Sequence, residues 1–266
     1  LMKDIKKGDK LLITGKSGYI ASQLKKYFSN KYEITTIGRE DFCIEDEQEC
    51  KKFFNKSYYD TVIHTAIVGG NRFYPDSMDC LKSNINIFLN ILNNKNNFGK
   101  LINFGSGAQF SLNPKYYGLS KKLINSFIKE NSNCYDLRIY GVFNENEIDT
   151  RFIKRSILSN LEKEKISIFN NKMMDYVYMD DLCSLVEYYI EENNPPKEID
   201  CCYKNKVTLY NIAQFINSIS DFQSKIELQS HSYDHYIGPQ KNLPIETLGL
   251  EEGIKRTFEK IKNNVV

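Results

Sequence analysis

The chain has 266 residues, enough to form one large hydrophobic core or one core with a smaller lobe attached. Its 36 basic and 34 acidic residues give a net charge of +2, which argues against a broad nucleic-acid-binding face. No apolar stretch reaches the roughly 18 residues that span a bilayer, and no secretion signal is recognised, so we expect a cytoplasmic protein that binds neither membranes nor nucleic acid.

Short apolar runs alternate with amphipathic patterns through the first half of the chain. The runs predict strands at residues 10–14, 33–37, 61–65, 100–104 and 134–139. The patterns between them predict helices at residues 20–28, 47–54, 79–93 and 117–129. Alternation at this spacing is typical of right-handed βαβ units, so we expect an α/β fold with a doubly wound parallel sheet of the Rossmann type.

Beyond residue 143 the predicted strands and helices alternate less regularly. The sequence there predicts helices at 150–160, 180–192 and 209–218, a strand at 165–169, and an interruption at Pro195-Pro196 before a further strand. We therefore expect a dinucleotide-binding domain over residues 1–143. Residues 144–266 should form mainly a smaller substrate-binding lobe, with segments near 170–200 returning to the Rossmann sheet.

The segment Thr14-Gly15-Lys16-Ser17-Gly18-Tyr19-Ile20-Ala21 follows the first predicted strand and opens the first predicted helix. Gly15 permits a tight turn, Gly18 lets the backbone approach a phosphate, and Ala21 allows close packing of helix on strand. The N–H groups and positive dipole end of the helix then face the ligand. We predict cofactor contacts from Gly15, Ser17, Gly18, Tyr19 and Ile20.

The residue at the tip of the second strand distinguishes the two nicotinamide cofactors. An acidic residue there binds the ribose 2′-hydroxyl of NAD, whereas an arginine suits the extra phosphate of NADP. Arg39 occupies this tip, and Lys16 could lie nearby, so we predict NADP rather than NAD. The alternative is that Arg39 is a solvated loop residue and Glu40 or Asp41 binds the ribose.

The third strand carries His64 near its end. A lone histidine in a strand is more often packed or hydrogen-bonded than catalytic, so we interpret His64 as a wall beside the cofactor, with Ala66 allowing the ligand to approach closely. His231 and His235 are the other histidines and belong to no ligand cluster, so we predict no metal site.

We predict a reactive group made of Ser106, Tyr117 and Lys121. Positions four apart share one face of a helix, so Tyr117 and Lys121 should point into the same space. A nearby cation lowers a phenol pKa from about 10 towards neutrality, which suits proton transfer at a carbonyl. Tyr27 and Lys31 have the same spacing, but they lie at the far end of the first helix, away from the strand tips where such sheets bind ligands.

Taken in order, these motifs resemble the extended short-chain dehydrogenase/reductase family of nucleotide-sugar epimerases, dehydratases and reductases. The matching segments are TGxxGxxA at 14–21, DxxxHxA at 60–66, Asn84, FGS at 104–106, YGLSK at 117–121, LRxYG at 137–141 and YVYMDD at 176–181. The Arg39 tip and residues 38–46 look most like GDP-fucose synthase and dTDP-4-dehydrorhamnose reductase.

The resemblance implies a chemistry and a substrate. NADPH gives hydride to C4 of a nucleotide-diphosphate sugar, Tyr117 protonates the alkoxide, Lys121 tunes Tyr117 and holds the nicotinamide ribose, and Ser106 orients the keto oxygen. It also implies a homodimer through the helices at 79–93 and 117–129.

Three departures from the family pattern bear on the substrate. Ser106 and Tyr117 are only eleven positions apart, which shortens a loop that contacts the sugar in relatives. Ala108 stands where the fucose synthase has its epimerisation cysteine. Met174 replaces an arginine, so the diphosphate needs another cation, with Arg151, Arg155 and Lys172 as candidates.

Three hypotheses follow. The first is an NADP(H)-dependent reductase of a nucleotide-linked 4-keto(-6-deoxy) sugar, a hexose or a heptose. The second is an NAD-retaining C4 epimerase, or a dehydratase, although Gly107 and Ala108 occupy the positions of a dehydratase acid/base pair. The third is a catalytically silent cofactor-binding subunit.

Overall fold

The computed structural model describes residues 9–70, 75–112 and 114–265. Its strands are β1 (Lys10–Thr14), β2 (Glu33–Ile37), β3 (Tyr59–His64), β4 (Phe98–Ser106), β5 (Cys134–Ile139), β6 (Val142–Phe143), β7 (Ile166–Asn171), β8 (Val177–Tyr178), β9 (Glu198–Cys201) and β10 (Ile226–His231). Its helices are α1 (Tyr19–Phe28), α2 (Glu47–Phe54), α3 (Met78–Leu92), α4 (Tyr116–Glu130), α5 (Phe152–Leu161), α6 (Met179–Glu191), α7 (Leu209–Ser218) and α8 (Gly249–Val265).

The central sheet has six strands in the order β2-β1-β3-β4-β5-β9. Strand β1 pairs in parallel with β2 and β3, and β3 pairs in parallel with β4. Because helices connect parallel strands, both faces of such a sheet are covered and its inner strands are largely apolar. Residues Leu11–Thr14 of β1 are accordingly buried. The predicted α/β fold with a doubly wound parallel sheet is confirmed.

The chain divides into two compact units. Unit 1 contains the described residues up to Arg138 together with Val186–Ile199, and unit 2 contains Ile139–Leu185 and Asp200–Val266.

In unit 1 the core forms where α2, α3 and α4 pack against the sheet. Its largest fully buried members include Leu12, Phe54, Phe88 and Ile91, each 0% exposed. Helix α1 supplies Ala21, Leu24 and Phe28 from one face, the spacing that an amphipathic helix needs to cover a sheet. This packing fixes the carboxyl ends of β1, β3 and β4, from which the candidate site is built.

In unit 2 a separate core gathers α5, α7, α8 and two small parallel sheets. Strand β7 pairs with β10, and β6 pairs with β8. Helix α8 buries Ile254, Phe258 and Ile261, four and then three residues apart, which is helical spacing. Helix α7 begins with a capping box in which Thr208 and Asn211 satisfy each other's backbone N–H groups.

None of the helices in the described part of the chain combines the length and apolar character needed to cross a membrane.

Candidate functional site

Gly15 ends β1 in a conformation that only glycine adopts without strain. Its φ is +74°, and a Cβ built on it would lie 2.9 Å from the backbone Cα and N of Ala66. The N–H of Gly18 then donates to the carbonyl of Gly15 at 2.8 Å, which closes the turn. The glycine turn therefore brings the loop after β3 directly against the loop after β1.

Helix α1 starts immediately after this turn, with Gly18 as its N-cap. Glycine has no side chain that could accept the N–H groups of the first helical turn, and no acidic residue lies in that turn. These are the conditions under which an anion takes the place of the cap. Tyr19 and Ile20, the first residues of α1, are half-buried there.

A cavity of about 490 Å³ opens above this turn, within unit 1. Its lining comes from the loops that follow β1, β2 and β3, namely Gly15, Ser17, Gly18, Ile37, Gly38, Arg39, Phe42, Cys43, Ile44, Glu45, Thr65, Ala66, Ile67, Val68 and Ile87. The predicted contacts Gly15, Ser17, Gly18, Arg39 and Ala66 thus all line this cavity. The glycine cradle, the uncapped helix and the predominantly apolar walls fit a dinucleotide.

Residues Phe42, Cys43, Ile44 and Glu45 of that lining were not among the predicted contacts. They follow Arg39 in a loop without helical or strand periodicity. The only available signal was their position after the second strand of a βαβ unit, where the loop faces the ligand.

The charges at the tip of β2 form a local cluster. Lys16 Nζ lies 2.8 Å from Asp41 Oδ2 and 3.2 Å from Glu40 Oε1. Asp41 Oδ2 also accepts a hydrogen bond from Gly38 N at 2.8 Å. Two carboxylates therefore neutralise Lys16, whereas Arg39 is exposed and lines the cavity. Of the two predicted cations, Arg39 is the one that faces the cavity.

His64 is buried under the loop that follows β3, with 2% of its surface exposed. Its Nδ1 lies 2.9 Å from the Thr14 hydroxyl, which also accepts the N–H groups of Thr65 and Ala66 at 3.2 Å each. The hydroxyl therefore donates to His64 Nδ1. Burial, with a smaller contribution from the charge of Lys121, lowers the pKa of His64 to about 3. His64 is neutral at physiological pH and connects the ends of β1 and β3.

Tyr117 and Lys121 lie one turn apart on α4. Lys121 is 5% exposed, its Nζ donates to the carbonyl oxygen of Phe104, and it lies 5.7 Å from the centre of the Tyr117 ring. Burial lowers the pKa of Lys121 to about 8, although the negative charge of Asp136 acts in the opposite direction. The Tyr117 ring also lies against Gly70, two residues beyond the cavity-lining Val68. The pair is thus adjacent to the loop that forms one wall of the cavity.

Ser106 is the last residue of β4 and is 7% exposed. Its hydroxyl accepts the N–H of Ala108 at 3.2 Å and caps the short 3₁₀ segment Gly107–Phe110. Gly118 of α4 packs against that segment so closely that a Cβ on it would lie 2.7 Å from the Ala108 carbonyl oxygen. The end of β4 and the start of α4 are therefore held together despite the short connection.

Asn84 of α3 joins the same region. It is fully buried, its Nδ2 donates to the carbonyl of Val68 at 2.9 Å and to the Ser120 hydroxyl at 3.1 Å, and its Oδ1 accepts the Val68 N–H at 2.8 Å. Asn84 thus ties the cavity wall to α4.

The second Tyr-x-x-x-Lys pair has a different environment. Tyr27 Oη donates to Glu187 at 3.0 Å, and Lys31 lies 2.6 Å from the same carboxylate. Lys31 also lies 4.5 Å from the centre of the Tyr27 ring. This pair binds a glutamate of α6 and has no part in the cavity lining.

In unit 2, the candidate diphosphate ligands are spread along the chain. Met174 is buried. Arg151 occupies the N-cap position of α5 without a capping hydrogen bond and lies 3.9 Å from Glu147, and Arg155 is exposed on the first turn of α5. Lys172 is half-buried beside β7. The geometry of unit 2 does not single out one of these cations. Among the residues that the structure describes, no cluster of three or more potential metal ligands occurs.

Comparison with known proteins gives concordant matches. A model of the NAD dependent epimerase/dehydratase family matches residues 11–202. The chain is 26% identical over 245 residues to CDP-abequose synthase of Yersinia pseudotuberculosis, covering 80% of this chain and 85% of that protein.

Solved structures match over almost the whole chain. A GDP-L-fucose synthetase from Naegleria fowleri bound to NADP has a TM-score of 0.79 at 16% identity, covering 99% of this chain and 97% of that one. GDP-mannoheptose C4 reductase from Campylobacter jejuni with NADP bound has a TM-score of 0.79 at 16% identity, covering 97% and 99%. At this level of identity the likeness is one of fold.

Proposed function

The chain belongs to the NAD-dependent epimerase/dehydratase family, and from that membership we propose that it is an NADP(H)-dependent reductase of a nucleotide-linked 4-keto sugar. The observation that carries the proposal is the buried Lys121 one turn from Tyr117, with Ser106 at the end of the neighbouring strand. A buried ammonium beside a phenol is suited to proton transfer at a carbonyl oxygen.

Each residue of the group has a distinct role. Ser106 orients the keto oxygen of the sugar by a hydrogen bond. Tyr117 donates its phenolic proton to the oxygen as negative charge develops on it. Lys121 stabilises the resulting phenolate through its positive charge and holds the nicotinamide ribose. When bound, NADPH supplies the hydride that reduces C4.

The cavity of unit 1 supports the cofactor assignment. Gly15, Ser17 and Gly18, with the first N–H groups of α1, bind the pyrophosphate, and Ala66 allows close approach of the dinucleotide. Arg39 binds the 2′-phosphate, because Lys16 is already neutralised by Glu40 and Asp41. His64 supports the cavity indirectly. It binds the Thr14 hydroxyl, which also binds the loop after β3, and so holds the loops after β1 and β3 in place.

The remaining assignments belong to the same proposal. Residues 1–143 provide dinucleotide binding, and residues 144–266 provide mainly the sugar-nucleotide site. The protein acts in the cytoplasm as a homodimer through α3 and α4, where Leu123 and Phe127 are each 37% exposed. Size-exclusion chromatography with light scattering tests the dimer.

The second candidate is a C4 epimerase that retains NAD, because the Tyr117/Lys121 pair serves both reactions. The carboxylates of Glu40 and Asp41 at the β2 tip favour this reading, since an acidic residue there suits the ribose of NAD. Tightly held NAD that co-purifies with the protein supports the epimerase. Stoichiometric oxidation of NADPH supports the reductase.

The test follows the absorbance of NADPH and of NADH in the presence of GDP-, dTDP-, UDP- and CDP-linked 4-keto sugars. We expect turnover with one of them, and a loss of about 10²–10⁴-fold in Tyr117→Phe, which removes the proton donor. Tyr27→Phe is the matched control, since it changes the same group in the other Tyr-x-x-x-Lys pair, and it should keep full activity. Absence of turnover on every sugar overturns the reductase and leaves the epimerase or a cofactor-binding subunit. Full activity in Tyr117→Phe overturns the proposed role of Tyr117 as proton donor.

A further inference from the structure

Three elements of unit 1 bring polar and small residues together around Lys121. Helix α4 contributes Lys121 and Asn125, which are four positions apart and share one face. Strand β4 contributes Asn103 and Gly105, two positions apart and therefore on one face of the sheet. Strand β5 contributes Asp136. The carboxylate of Asp136 lies against Asn103, Gly105 and Asn125.

Asp136 is 0% exposed. Its Oδ1 accepts a hydrogen bond from Asn103 Nδ2 at 2.6 Å, and its Oδ2 accepts one from Asn125 Nδ2 at 3.0 Å. Both partners donate, so both carboxyl oxygens act as acceptors, which favours the ionised form. Burial raises the pKa of Asp136 above its ordinary value, although these hydrogen bonds and the positive charges of Lys121 and Arg138 act in the opposite direction. A charge in such a place requires a partner of opposite sign.

Gly105 provides the space for this carboxylate. A Cβ on Gly105 would lie 2.4 Å from Asp136 Oδ2, so no larger residue fits while the carboxylate is in place. The residue before it, Phe104, accepts the hydrogen bond from Lys121 Nζ through its carbonyl oxygen. The residue after it is Ser106. Lys121 therefore binds Phe104 and Asp136 lies against Gly105, the two residues of β4 that come directly before Ser106. Ser106 is the proposed substrate contact.

Arg138 is a second cation whose charge acts on Asp136. It lies 2.8 Å from Glu198, and Lys129 lies 3.6 Å from the same carboxylate, so two positive charges share Glu198. Burial raises the pKa of the Cys80 thiol and lowers that of His64 to about 3, so both are neutral at pH 7. The negative charge that acts most strongly on Lys121 is consequently that of Asp136.

We propose that Asp136 is a positioning residue: it is the buried counter-ion that keeps the Lys121 ammonium charged and directed towards Tyr117. The consequence for turnover rests on the function proposed above, whereas the charge state of Lys121 can be measured without any substrate. Gly105, Asn103 and Asn125 form the socket that holds the carboxylate in place.

The first measurement is a pH titration of the lysine ¹³Cε signals of the wild-type protein by NMR, with Lys121 assigned from the signal lost in Lys121→Arg. We expect Lys121 to titrate near pH 8. A buried lysine without a counter-ion titrates at about pH 5–6. A wild-type Lys121 that is already uncharged at pH 6.5 overturns the inference, and this outcome needs no variant to fold.

The second measurement uses Asp136→Asn with Glu198→Gln as its control. Asp136→Asn should fold, because Asn103 Oδ1 has no hydrogen-bond donor among the described residues and can accept from the new amide after a flip of the Asn103 side chain. We expect the Lys121 midpoint to move to lower pH by about one unit in Asp136→Asn. Glu198→Gln removes a carboxylate from the same network and should leave the midpoint unchanged.

Turnover provides an independent readout. Because Lys121 must be charged, NADPH oxidation falls as pH rises through its midpoint, and in Asp136→Asn this fall should begin about one pH unit lower. An unchanged Lys121 midpoint in folded Asp136→Asn refutes the counter-ion role even if the enzyme is an active reductase. A shifted midpoint in a protein that reduces no sugar supports the counter-ion role and refutes the proposed function instead.

Discussion

Replacement of Gly15 by alanine tests the geometry on which the proposed cofactor cavity depends. A residue with a Cβ at φ +74° costs about 1–2 kcal/mol relative to glycine. The added Cβ also meets backbone atoms of Ala66 at 2.9 Å, and backbone cannot rotate away as a flexible side chain can. Overpacking of this kind costs about 1–3 kcal/mol. Gly15→Ala should therefore lower the free energy of unfolding by about 2–5 kcal/mol in total.

Gly249→Ala separates these two effects. Gly249 has a φ of +85°, yet among the described residues no neighbouring atom lies within 4 Å of a Cβ built on it, so its replacement has the conformational cost without the clash. We expect a loss of about 1–2 kcal/mol for Gly249→Ala. Urea unfolding of the wild type and both variants gives the three free energies of unfolding.

Cofactor binding should distinguish the variants further. Gly15→Ala displaces Ala66, and both residues line the cavity, so a fluorescence titration should show NADPH binding weakened by at least about tenfold, equivalent to 1.4 kcal/mol. Gly249→Ala should bind NADPH as the wild type does. Equal destabilisation by the two substitutions, or wild-type affinity in Gly15→Ala, refutes this account of the turn.

Three further predictions follow from individual contacts. Arg39→Gln should raise the KM for NADPH at least about tenfold, because a charged hydrogen bond contributes about 1.5–3 kcal/mol; steady-state kinetics should show the KM for NADH unchanged. Wild-type stability should fall by up to about 1.4 kcal/mol for each pH unit below 6.5. Below that pH, His64 binds a proton in the unfolded chain but stays neutral in the folded protein, where its pKa is lowered. In urea unfolding at pH 7, 5 and 4, His64→Gln should show a smaller loss of stability than the wild type. Lys206 lies 2.7 Å from Asp175 with both side chains buried, so Lys206→Met should cost about 3–5 kcal/mol in the same assay, and adding Asp175→Asn should restore part of it.

Local patterns predicted the central sheet well. Strands β1, β2 and β5 and helices α2 and α7 begin and end where the sequence placed them, because apolar runs or amphipathic repeats bounded by turn residues mark those ends. The family that the motifs indicated is confirmed as well. These features depend on residues close together in the chain.

Strand ends that depend on distant partners differ from the prediction. Strand β3 begins at Tyr59 rather than residue 61, and Asp60 within it accepts a hydrogen bond from Lys10 N at 2.8 Å. Strand β4 runs from Phe98 to Ser106 and includes Gly99 and Gly105, although glycine disfavours strands. Gly105 is explained only by the carboxylate of Asp136 that lies against it.

Helix α8 and strand β10, both in the second half of the chain, were not predicted. The sequence carries a clear signal for α8 and little for β10. Helix α8 carries a clear apolar repeat at Ile254, Phe258 and Ile261, which a longer scan of the sequence would have detected. Strand β10 (Ile226–His231) is largely exposed and polar, and it is a strand because β7 offers it hydrogen bonds. No local pattern encodes such a pairing.

The sequence by itself determined the glycine turn, the alternation of strands and helices, and the spacing of Tyr117 and Lys121, since each depends on backbone preferences and periodicity within a few residues. It also presented two Tyr-x-x-x-Lys pairs of identical spacing. Tertiary structure decided that Lys31 binds a half-buried glutamate of α6 while Lys121 is buried near Asp136. Burial and charge pairing set the chemistry of an ammonium group, and both are properties of residues that meet only in the folded chain.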